Sequence, residues 1–186
     1  MILIRHGQTE VNRIFSVTRT DPGIRDPQLT PTGRIQAAAV AGALHGLSIC
    51  RLICSPYIRA LETAEIISAL RLPIAVEALV AERCVFACDV GSELGDLRRP
   101  WPHLTFDHLA DPWWPQQEET EEVLLQRSET FCGRMAADNS FEVAVVTYWG
   151  FIRAVTGRKV ANGTVLRIDP ARLQRGAEEI FLPAAH

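Results

Sequence analysis

The chain has 186 residues, a net charge of −3 with its histidines neutral, 47% apolar residues and 22% charged ones. That balance suits a single globular domain spanning 1–186 and excludes a disordered chain or a strongly basic nucleic-acid binder. No apolar run approaches the ~18 residues of a membrane span, so no membrane partner is expected, and a cytoplasmic location follows.

Ile2 to Arg5 reads as a short buried strand running into His6 and Gly7. Residues 7–28 are polar and broken by Asp21-Pro22-Gly23 and Asp26-Pro27, the signature of a loop. "LTPTGRIQAAAVAGALHG" has helix signals at both ends: Thr30 as N-cap, Pro31 in the first turn and Gly46 at the exit. "RLICSP" predicts a second strand, and Pro56 then opens a helix over "YIRALETAEIISAL", with Ile58, Leu61, Ala64, Ile66 and Ile67 on its apolar side. "LPIAVEA" predicts a third strand.

From about 82 to 117 the pattern is irregular, with four prolines and three of the four tryptophans. A segment of that length is expected to be functional or to hold short helices. Trp101, Trp113 and Trp114 are read as pinning it to the sheet, the other reading being a pocket wall. His103 and His108 are read as ordinary loop residues. "EETEEVLLQRSETFCGRMAAD" predicts an amphipathic helix with Leu124, Leu125 and Phe131 facing the core. "FEVAVVT" is the strongest strand pattern, "GFIRAVTG" begins a helix and "GTVLRID" is a last strand. The tail from Glu178 gives no signal.

Five cysteines, an odd number at spacings loose for zinc, are expected to be free thiols; no metal and no cofactor are expected. Gly91-Ser92-Glu93-Leu94-Gly95 is not a nucleophile elbow, because the serine is misplaced, and no nucleotide-binding glycine loop is present.

Strands alternating with helices predict an α/β fold: a three-layer sandwich, mostly parallel at its central sheet, with helices on both faces. Ligands of such sheets bind beyond the carboxyl ends of the strands. Arg5 and His6 end the first strand, Ser55 and Arg59 follow the second, Glu82 follows the third, and Thr147 and Tyr148 end the "VAVVT" strand. All are expected on one rim.

Arg5-His6-Gly7 after the first strand, with "LTPTGRIQA", "SPYIRALETA" and "VVTYWGFIRAV" in order behind it, resembles the histidine phosphatase superfamily, phosphoglycerate mutase-like branch, from about Ile2 to Thr156. The resemblance implies a phosphatase acting on phosphomonoesters through a phosphohistidine on His6. It implies that Arg5, Arg59 and Asn12 hold the phosphoryl group and that Glu82 is the general acid, with Glu77 and Asp89 as fallbacks. Gly7 is expected to let backbone approach the ligand. The partner is then a small phosphorylated substrate or inorganic phosphate, with a homodimer plausible. One position departs from the pattern. The family's second active-site histidine follows the "VVT" strand, and here Tyr148 and Trp149 stand there. Tyrosine can donate one hydrogen bond to phosphate but is uncharged at neutral pH. Three outcomes follow: a phosphatase with weakened activity, the favoured one; a pocket for an unusual substrate, with His103 or His108 restoring the missing charge; or an impaired anion-binding regulatory module of the same fold. A true mutase fits less well, because the chain is shorter than the classical mutases.

Overall fold

The computed structural model describes residues 1–69, 71–138, 142–174 and 176–183. In chain order it contains β1 (Ile2–Arg5), α1 (Glu10–Thr18), α2 (Pro31–Ala43), β2 (Ile49–Cys54), α3 (Ile58–Ser68), β3 (Ile74–Val76), α4 (Leu94–Arg98), α5 (Glu121–Ala137), β4 (Glu142–Thr147), α6 (Trp149–Thr156), β5 (Val165–Arg167) and β6 (Glu178–Phe181). Leu70, the expected end of the third helix segment, and Phe141, the expected start of the "VAVVT" strand, lie outside the described residues.

The six strands form one mixed sheet in the order β3-β2-β4-β1-β5-β6. β3, β2, β4 and β1 run parallel, with Leu3 opposite Val145 and Arg5 opposite Thr147; β5 and β6 add antiparallel neighbours on the β1 side. Successive strand residues face opposite ways, and the two faces are both apolar. Ile2, Ile4, Leu52 and Cys54 pack with Val40 of α2 and Leu61 of α3. Leu3, Ile53, Val143 and Val145 pack with Phe131 of α5 and Phe151 of α6. This is the expected α/β sandwich with helices on both faces.

Two elements differ from expectation. Residues 10–18, read as loop, form α1, closed by a reciprocal cap between Thr9 and Asn12. Glu178–Phe181, read as featureless, is the edge strand β6. The irregular segment behaves as expected: it holds a 3-10 turn at Ala87–Asp89 and the short α4, and Trp101 and Trp113 are buried against the α2–α3 side. Trp113 donates to the Ser92 carbonyl at 2.9 Å and meets Tyr57 edge-on. Of the predicted stripe on α5, Leu124 and Phe131 are buried, whereas Leu125 is half-buried and faces a cleft.

The turn after β1 lies directly on the first turn of α2. A Cβ on Gly7 would run into the Gly33 backbone, and one on Gly33 into the Gln8 backbone. Gly7 therefore serves a backbone-to-backbone contact, a correction to its expected approach to ligand. Thr30 caps α2 through its bond from Gly33 N and also donates to the Gln8 carbonyl, fixing the same contact from the side. Gly7→Ala and Gly33→Ala should each cost about 1–3 kcal/mol in urea unfolding, as overpacked sites do. The double variant should cost clearly less than their sum, because one contact is lost once; additive losses would contradict the shared contact.

Candidate active site

His6 leaves the end of β1 with its backbone N–H donating to Thr147 O at the end of β4 (3.0 Å). Gly7 N donates to Thr63 Oγ1 (3.2 Å), which donates onward to Arg59 O in α3 (2.7 Å). The carboxyl ends of β1 and β4 and the first turn of α3 are thereby joined. A cleft of about 1220 Å³ opens over this edge, and Arg5, His6, Asn12, Arg59 and Glu82 all line it.

The His6 side chain is 3% exposed, and its Nδ1 lies 2.7 Å from the Gly7 carbonyl. A carbonyl can only accept, so Nδ1 holds the ring proton and Nε2 keeps its lone pair. Burial, and then the charges of Arg59 and Arg5, hold the imidazole pKa well below its ordinary value, so the ring is neutral at pH 7.

Arg5 donates through Nη1 to Val160 O at 2.6 Å, while its buried Nε has no partner among the described residues. Burial lowers its pKa to about 10, which leaves it charged. Arg59 donates to Cys88 O (2.7 Å) and Asp89 Oδ1 (3.1 Å), with Asp26 Oδ1 at 3.8 Å. Its guanidinium carbon sits 4.3 Å from the Tyr57 ring centre and 4.7 Å from that of Tyr148. Burial opposes this charge, but Tyr148, Asp89, Cys88 and Asp26 outweigh it, and the pKa is raised. The helix-end N–H of Ile58, which could have met an anion, is taken by Asp26 Oδ1 (2.9 Å).

Glu82 lies across the N-terminus of α6. Its Oε1 accepts from Gly150 N (3.0 Å) and Arg83 N (2.9 Å). A Cβ at 150 would meet Oε1, so a side chain there would displace the Glu82 carboxylate from its present position. Burial and then Asp89 raise the Glu82 pKa from its ordinary value, against the lowering effect of these N–H groups and of Arg59. Of the two fallback acids, Glu77 caps the turn at Leu79 and lies off the cleft. Asp89 lines the cleft but is occupied by Arg59 and by the N–H groups of Val85 and Phe86.

Asn12 Oδ1 accepts from Thr9 N (3.0 Å) and from Asn162 Nδ2 (3.1 Å), leaving its amide nitrogen to donate. Tyr148 does not line the cleft. It is fully buried beneath it, its ring 5.0 Å from that of His6. Its hydroxyl has no hydrogen-bond partner among the described residues, Ser55 being near but out of bonding geometry. His103 pairs with Glu65 and His108 bonds the Val76 carbonyl, both away from the cleft.

Sequence reasoning missed Asp26, Tyr57 and Asn162. Asn162 donates to His6 O (3.0 Å) and to Asn12, bridging the two. Its only signal was the turn pair Asn162-Gly163, which speaks of chain reversal and not of a site. Among the described residues, no cluster of three or more His, Cys, Asp or Glu could hold a metal ion.

A sequence model of the histidine phosphatase superfamily (branch 1) matches residues 1–174. A Schizosaccharomyces pombe protein named as a probable phosphatase is 31% identical over 164 residues, 81% of this chain and 74% of its own length. In fold, the chain is similar to a mycobacterial glucosyl-3-phosphoglycerate phosphatase (TM-score 0.65, 19% identity, 100% and 99% of the two chains covered). It is also similar to the Shigella flexneri alpha-ribazole phosphatase (TM-score 0.61, 19% identity, 100% and 98% covered).

The suppressed His6 pKa has a measurable consequence. Below its ordinary value of 6.5 the unfolded chain takes up a proton that the folded imidazole refuses. Stability from this group is complete above pH 6.5 and falls away as pH drops below it. In urea unfolding, His6→Gln should therefore gain on the wild type between pH 7 and pH 5; a constant difference across that window would contradict the burial of a neutral ring.

Proposed function

Since the chain belongs to the histidine phosphatase superfamily, branch 1, we propose that it hydrolyses small phosphomonoesters through a phosphohistidine formed on His6. The observation that supports this most is the buried imidazole whose Nδ1 is held by Gly7 O, leaving an unprotonated Nε2 at a cleft lined by two guanidinium groups.

In this reading Nε2 attacks phosphorus in line with the ester oxygen. The P–N bond forms as the P–O bond breaks, and the departing oxygen takes a proton from Glu82. The phosphorylated ring is cationic, and its proton stays on Nδ1, donated to the Gly7 carbonyl. Water then attacks phosphorus, giving a proton to the Glu82 carboxylate. The P–N bond breaks with its electrons returning to Nε2, and inorganic phosphate leaves. Arg5 Nε, unpartnered among the described residues, and the Arg59 fork meet the equatorial oxygens. The Asn12 amide nitrogen adds a neutral donor. The raised pKa of Glu82 suits a proton donor, and its unequal bonding leaves Oε2 the less occupied oxygen.

Tyr148 is read as standing where the family has its second histidine. Its ring supports Arg59 and His6 from below, so its contribution is positional, and one charged phosphate donor is absent. That absence favours a second reading, anion binding without turnover. In it, phosphate would raise the melting temperature while no ester is cleaved.

His6→Ala should abolish hydrolysis of 4-nitrophenyl phosphate and the acid-labile phosphoenzyme trapped in a rapid acid quench. Arg59→Ala should lower kcat/KM by about 10²–10³. Wild-type protein that binds phosphate but never acquires acid-labile phosphate would establish the second reading instead. Tyr148→Phe should leave kcat/KM within about threefold, because the hydroxyl makes no bond to lose; a loss of a hundredfold would give the hydroxyl a direct role.

A further inference from the structure

The cleft is far larger than a phosphoryl group, and its walls change character away from His6. Phe15 of α1 and Phe86, just ahead of the 3-10 turn, meet with ring centres 5.5 Å apart at a 56° tilt, and both line the cleft. Val85 lines it beside them, and Val85 and Phe86 are 38% and 43% exposed. Apolar surface left open inside a cleft is a place for an apolar ligand.

The position of this pair relative to the phosphate end is fixed by two local rules. Asn12 and Phe15 are three residues apart on α1, so they share a face, with Phe15 about 4.5 Å further along the helix axis. Phe86 is tied to Arg59 through one carboxylate: Asp89 accepts from Arg59 Nη2 on Oδ1 and from Phe86 N on Oδ2 (3.1 Å). Asp21, just beyond α1, accepts from Ala87 N at 2.9 Å and holds the two aromatic-bearing segments together. The rings are thus tied in place relative to Asn12 and Arg59.

The other side of the cleft is mixed in character. Trp149 lies under the guanidinium of Arg153 (5.3 Å), Arg83 and Arg153 both pair with Glu121, and Leu125 lines the cleft from α5. The ring–ring pair of Phe15 and Phe86 is the feature on the opposite wall.

The geometry points to Phe15 and Phe86 as a leaving-group subsite that takes an aromatic ring, making the substrate a monophosphate ester of an aromatic or arylalkyl alcohol. This rests on the phosphatase reading for the word substrate, but the subsite itself is tested by binding.

The experiment is titration calorimetry of the full chain with 2-phenylethylphosphonate and ethylphosphonate, which share a head group and cannot be hydrolysed. The aromatic ligand should bind at least about tenfold tighter, the scale of one ring–ring contact plus its buried area. Phe86→Ala and Phe15→Ala should each remove most of that advantage and leave ethylphosphonate unchanged. Phe86 is the safer site, since it is already 43% exposed; unchanged melting temperature confirms that either variant is folded. Equal affinity for the two ligands, with 4-nitrophenyl phosphate still cleaved in a His6-dependent way, overturns the subsite and leaves the phosphatase reading standing. Binding of neither ligand overturns both.

Discussion

Burial of His6 beside Arg59 and Arg5 is the constraint from which the chemistry of this cleft follows. Arg59 is buried and Arg5 half-buried beside the imidazole, and both are charged at pH 7. Their charge, added to desolvation, leaves the ring nothing to gain from protonation. The neutral ring must then choose a tautomer, and the Gly7 carbonyl, which can only accept, decides it. An unprotonated lone pair on Nε2 is thus a consequence of burial and charge.

Such a cluster is costly to bury, and the fold compensates each charge differently. Arg59 is the more completely answered, by Asp89, the Cys88 carbonyl, the nearby Asp26 and two tyrosine faces. Arg5 is answered only in part, by the Val160 carbonyl and the field of Glu82, and its Nε has no partner among the described residues. Asp89 connects this arrangement outward, since the carboxylate that steadies Arg59 also shapes the turn bearing Phe86. The guanidinium end and the Phe86 end of the cleft are thus joined through one carboxylate.

Much of this was legible beforehand, for physical reasons. The strands β1 and β4 are runs of β-branched and apolar residues buried on both faces, and α2 announces itself with Thr30 and Pro31. Parallel topology then places Arg5, His6, Arg59 and Glu82 on one edge. Less legible were features set by tertiary contact. In α1 the cap uses Asn12 where a glutamate or glutamine is the usual sign, and the polar, turn-rich residues after it hide the Val11, Ile14, Phe15 spacing. β6 begins with two glutamates and exists because β5 offers it an edge. Gly7 was assigned to ligand approach when its neighbour is Gly33, a contact between residues far apart in sequence. Tyr148 was expected to face phosphate, whereas burial under the cleft turns its ring to His6 and Arg59.

The protonation state of one ring is therefore the most direct measure of the whole account. Nitrogen-15 NMR of the imidazole in the ligand-free protein reports both ring nitrogens and their proton occupancy at pH 7. The account predicts a neutral His6 with the proton on Nδ1 and a bare Nε2. A protonated imidazolium, or a neutral ring protonated on Nε2, would contradict it.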